Sequence, residues 1–76
     1  MNKSRRKRID EAVALLEQAM ALIEEAKDEE QECYDNLPES LQYGESGEKM
    51  SEAVSQLEDC YNSIEEAITS AQTGAE

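Results

Sequence analysis

Apolar residues recur along the first half of the chain at alternating steps of four and three, at Ile9, Val13, Leu16, Met20 and Ile23. That spacing gathers them on one stripe of an α-helix, an a/d seam for packing against a second helix. Lys27 and Glu30 take the next seam positions before Tyr34 and Leu37 resume it. Beside the seam runs a stripe of small residues spaced by seven, Ala12, Ala19, Ala26 and Cys33, and Leu15 and Leu22 form a third. The apolar arc is therefore wider than one antiparallel neighbour covers. No Gly or Pro falls between residues 4 and 36, and strong helix formers dominate, so a helix is predicted over about 4–36. Pro38 disfavours helical geometry at Leu37 and ends the element there.

A second block runs over about 47–71. Met50, Ala53, Leu57, Cys60, Ile64, Ala67 and Ala71 keep a seam of threes and fours, widened on one side by Val54, Tyr61 and Ile68. Ser46 is the predicted N-cap, with Glu48 favoured in the first turn by the helix dipole. The tail from Thr73 to Glu76 is expected to fray. The connector, residues 37–46, contains Pro38, suited to a first helical position, and Gly44, suited to a C-terminal cap, so it predicts one short helical turn. The fold class expected is all-α: an antiparallel two-helix hairpin in one domain, residues 1–76. One hairpin leaves Leu15, Leu22 and the tyrosines uncovered, so assembly as a homo-oligomeric helical bundle, dimer or higher, is expected.

Composition narrows the function. The 76 residues hold 19 Asp and Glu against seven Lys and Arg, a net charge of −12, with 38% hydrophobic positions and no His. A domain this small buries only about 60% of its unfolded surface, which argues against a deep active site within one protomer. Absent His removes the commonest general base and metal ligand. No apolar run reaches the ~20 residues of a membrane span, and no signal peptide is read, so a cytoplasmic protein is expected. The charge is also split. Lys3, Arg5, Arg6, Lys7 and Arg8 open the chain, and the remainder carries −17. Such a body repels nucleic-acid backbones, so no direct nucleic-acid contact is expected, and a partner of the body should be basic.

The two cysteines read as free structural thiols, because a turn near residue 42 leaves Cys33 and Cys60 offset by roughly 13 Å, too far for a disulfide. Two Cys without His make a weak zinc case, since structural sites want four ligands, and no metal site is expected. The carboxylate runs, such as Glu24-Glu25 and Glu65-Glu66, mark no pocket and no calcium loop, so neither an enzyme nor a cofactor is expected. The basic arm asks for a partner, since cations at a helix N-terminus oppose its dipole. Three partners present themselves: the negative C-terminal end of the second helix, the i,i+4 acids through Arg6–Asp10 and Lys7–Glu11, or a bound anion held by Arg5, Arg6 and Arg8. Tyr34, Tyr43 and Tyr61 are the side chains able to stack on a base.

The stretch EEQECYDNLPESLQYGESGE, Glu29 to Glu48, resembles a family of short accessory proteins from phages and prophages of Gram-positive bacteria. In these an acidic helix leads into an NLPE-S/G-LQ turn, a Ser-Glu-Arg-Gly-Glu-like cap and a second acidic helix. The opening MNKSRRKRI fits as well, and Ser46 departs from the pattern where Arg is usual. The resemblance implies a phage counter-defence protein acting in the host bacterial cytoplasm. The favoured mechanism is a homo-oligomer that sequesters a nucleotide-derived immune signal, such as a cyclic ADP-ribose or a cyclic dinucleotide. Arg5, Arg6 and Arg8 would hold phosphate while Tyr34 or Tyr43 stacks on the base. The alternatives are an acidic DNA mimic that blocks a basic host defence protein, and a structural bundle without a ligand.

Overall fold

A computed structural model describes all 76 residues and contains helices only. Helix α1 spans Lys3–Asp35, a single turn α2 spans Glu39–Gln42, and α3 spans Glu45–Ala75. The chain doubles back once, and α1 packs along α3 in an antiparallel hairpin measuring 58 × 15 × 12 Å. The long dimension is what 33 residues of helix require, at about 1.5 Å per residue, plus the turn.

The termini of the elements depart from the spacing in informative ways. Asn2 caps α1, its side chain accepting the Arg5 N–H at 2.9 Å. Gly44, not Ser46, is the N-cap of α3, in extended geometry and without a side-chain bond. Gly44 also donates its N–H to the Leu41 carbonyl at 3.1 Å, so one residue closes α2 and opens α3. Pro38 sits just before α2, and its carbonyl accepts from Leu41 and Gln42. Helix α3 continues through Gly74 to Ala75. The expected loose tail is instead helical, because the Ala75 carbonyl is held by a side chain of α1, described below.

The α1 seam lies where its spacing puts it. Val13 is buried, and Ile9, Leu16, Met20, Ile23, Lys27, Glu30, Tyr34 and Leu37 are half-buried. On α3, Met50, Ala53, Leu57, Ile64 and Ala71 are half-buried as the seam predicts, and so are the flanking Val54, Tyr61 and Ile68, whereas Cys60 and Ala67 are exposed. The shift toward the flank at those two positions follows from burial energetics, since about 25 cal/mol is gained per Å² of apolar surface and Tyr and Ile offer far more of it than Cys and Ala. Only Val13, Gly47 and Ala75 are buried, and no side chain is wholly shielded from solvent. Two helices shield each other on one stripe alone, so most of the apolar side chains keep part of their surface exposed.

The turn is fixed by backbone contacts. Gln42 reaches back to α1, its Nε2 donating to the Tyr34 carbonyl at 3.1 Å and the Leu37 carbonyl at 3.3 Å. Tyr34 lies in the last turn of α1, where carbonyls lack their usual helical partner four residues on, and Leu37 follows the capping Asn36. Gly47 brings α3 directly onto α2. A Cβ there would stand 2.7 Å from the Gln42 Cα and closer still to its carbonyl group.

Candidate functional site

The basic arm occupies the open end of the hairpin, where the start of α1 lies beside the end of α3. Its arginines divide the work. Arg6 donates from Nε to the Ala75 carbonyl at 3.2 Å, and Asp10, Gln72 and Glu76 line the same shallow recess. Helix α3 has no basic residue in its last turn and α1 no acidic residue in its first, so this contact matches an unserved cation to an unserved negative helix end. The Arg6–Asp10 and Lys7–Glu11 ion pairs do not form. The sole ion pair is Lys49–Glu45 at 3.3 Å on the exposed start of α3.

Arg5 and Arg8 lie elsewhere around α1, where with Met1 and Ile9 they line an open depression of about 440 Å³. Neither guanidinium has a hydrogen-bond or ion-pair partner in the chain. Their neighbours are apolar, and the site is a shallow surface, not an enclosed pocket.

Tyr34 and Tyr43 sit at the opposite end. They border a depression of about 430 Å³ with Gln42, Gly47, Glu48 and Glu52, and Tyr43 is 77% exposed. Along α1, Arg6 and Tyr34 are 28 residues apart, about 42 Å of helix. One protomer therefore does not bring Arg5, Arg6 and Arg8 together with Tyr34 and Tyr43. The lining of this depression includes Glu48 and Glu52 and no cation, and the nearby Lys49 is paired with Glu45, a setting that disfavours phosphate. Tyr61, the third stacking candidate, is half-buried in the hairpin seam.

The largest depression, about 630 Å³, lies on the outer face of α3 among Asn62, Glu65, Glu66, Thr69 and Ser70, without an apolar side chain. Thr69 donates its hydroxyl to the Glu65 carbonyl at 3.2 Å and is thus bonded to its own helix. No cluster of His, Cys, Asp and Glu has metal-binding geometry. Cys33 and Cys60 are free and both exposed, so neither acts as the small core hydrophobe expected of it within one hairpin. No helix is long and apolar enough to cross a membrane.

No known family, curated protein or solved structure matches the chain. The arrangement itself offers two features to chemistry: a long acidic rod, and one pair of unpartnered guanidinium groups at its end.

Proposed function

We propose that the chain is a non-enzymatic binding protein of phage origin whose acidic body, as a homo-oligomer, occupies the basic surface of a host defence protein. The phage setting rests on the resemblance of the NLPESLQ turn and the basic opening to phage accessory proteins. The observation that carries the mechanism is charge density. A net charge of −12 over a 58 Å rod is one charge per about 5 Å, and two chains side by side double it to one per about 2.4 Å. A DNA single strand carries one charge per ~3.4 Å and the duplex one per ~1.7 Å. Two chains therefore fall between the two, and an interface built for phosphates meets a comparable field. Of 19 carboxylates only Glu45 is engaged in an ion pair, leaving the remainder for a partner.

The test is capture from host lysate at roughly 0.05 M and 0.5 M salt, with duplex DNA as competitor. Proteins held at low salt should be released both by high salt and by the duplex. Failure to capture anything at low ionic strength removes the reading.

Sequestration of a nucleotide signal is a second reading, favoured by the free Arg5 and Arg8 above Met1 and Ile9. It ranks lower than the sequence suggests, because Arg6 serves the α3 terminus and the tyrosines lie at the far end. Calorimetry with cyclic ADP-ribose isomers and cyclic dinucleotides tests it, and silence with all of them sinks it.

A further inference from the structure

One long face of the hairpin carries a single carboxylate along its central stripes, Glu29. On α1 it begins with Arg5 and Arg8, continues through alternating alanines and leucines from Ala12 to Ala26, and meets its first acid at Glu29. On α3 the matching stripe carries Lys49, Ala53, Cys60 and Ala67. Each stripe trails its own seam by roughly 100° around its helix, in the same rotational sense. Because the helices are antiparallel, the same sense turns both stripes to the same side. Leu15 and Leu22 stand on this face at 64% and 65% exposure, whereas the other exposed large apolar residues, Met1, Leu41 and Tyr43, lie near the ends or the turn.

We infer that a second copy of this chain seats on that face, two-fold related, with α1 antiparallel to its counterpart and Ala19 near the axis. The stripe is a charge-complementary palindrome about Ala19. In this register Leu15 meets Leu22 of the other copy, Ala12 meets Ala26, and Arg8 meets Glu29, each contact occurring twice. Arg8, which has no partner in its own chain, gains one, as an isologous contact requires.

Helix α3 supplies an independent check on the position of the axis. Its small residues Ala53, Cys60 and Ala67 are symmetric about Cys60. The Arg6–Ala75 bond places residues whose numbers sum to about 81 at one height, so Ala19 lies level with residue 62. Cys60 is two residues, about 3 Å, from that level, so one axis serves both helices. The face runs the length of both helices on a rod 58 Å long, so contacts can repeat along it on either side of the axis. The result is a four-helix bundle in which every neighbouring pair is antiparallel.

The test is sedimentation equilibrium from about 1 µM to 1 mM on the full chain, read beside circular dichroism. A dimer is expected. Arg8→Glu and Glu29→Arg should each weaken it about tenfold or more, since each disrupts two pairs, and the double exchange should restore it. Leu22→Glu should give monomers that keep their helical signal. In a Cys33→Ser variant, a short bismaleimide should join Cys60 to Cys60 of the second copy. A wild-type monomer at every concentration, an assembly larger than a dimer, or a double exchange no tighter than the singles would overturn the inference. The acidic-surface reading needs the charge of two chains but not this arrangement of them, so a chain that associates without the Arg8–Glu29 register overturns only the inference, whereas a monomer at every concentration also leaves that reading with one charge per about 5 Å.

Discussion

The Arg6 guanidinium donates to the Ala75 carbonyl across 69 residues of chain, at 3.2 Å. It is the only side-chain hydrogen bond that ties the two ends of the hairpin together, and it does so at a helix terminus where carbonyls have no helical partner. Arg6→Ala should cost about 1 kcal/mol and loosen the last turn of α3, a partly exposed charged hydrogen bond being worth roughly that. Thermal denaturation reads the loss. Hydrogen exchange locates it, with faster exchange expected near Ala75 and unchanged exchange near Gly47. Equal acceleration along the whole of α3 would show that the bond does not act locally.

Gly47 and Gly74 make opposite predictions although both lie within α3. Alanine at position 47 would drive a methyl group into the Gln42 backbone, so α2 must shift from α3 and give up the Gln42 bonds to Tyr34 and Leu37. A loss of about 2 kcal/mol or more is expected, in the range of overpacking. At position 74 no neighbouring atom lies within 4 Å of the added Cβ. There alanine should stabilise by up to ~1 kcal/mol through helix propensity, less where the terminus frays. Denaturant midpoints of the two variants should move in opposite directions.

The seam of α3 shows where sequence legibility ends. Two candidate stripes lay side by side, one through Cys60 and Ala67 and the other through Tyr61 and Ile68, and periodicity alone does not choose between neighbours 100° apart. In α1 a single stripe dominates, and even its irregular members Lys27 and Glu30 are half-buried where spacing puts them. Ile68→Ala should therefore cost about 1–2 kcal/mol, reduced from a full core deletion because the site is half-buried, while Ala67→Ser costs little in the monomer. Equal costs for the two would return the seam to Cys60 and Ala67.

The turn and the arm were legible to different depths for a similar reason. Pro38 and Gly44 are local signals, and the structure uses both. Gly47 and Gln42 act through contacts between elements, so nothing in their immediate neighbours announces them. The arm's need for a partner follows from dipole electrostatics, but its division of labour does not. Arg6 bonds the end of α3 while Arg5 and Arg8 line a depression with Met1 and Ile9, and only the hairpin register separates them. The candidate site joining the arginines to Tyr34 and Tyr43 depended on closeness that a 58 Å rod does not provide within one chain.

Stability should rise with salt. The folded rod confines a net charge of −12 and recovers little of the repulsion through pairing, its one ion pair, Lys49–Glu45, being exposed at both side chains. Unfolding spreads these charges apart, so repulsion favours the unfolded chain and screening it favours the fold. The Debye length shortens from about 30 Å at 0.01 M to 10 Å at 0.1 M, below the length of the rod but beyond the spacing of neighbouring acids. The gain should thus begin below 0.1 M, as distant parts of the rod are screened from each other, and continue above it, as neighbouring acids are. A protein held together by surface ion pairs would respond with the opposite sign. Melting curves at constant chain concentration, taken with sodium chloride from about 0.01 M to 1 M, measure it, and a midpoint that falls as salt is added would contradict a fold working against its own charge.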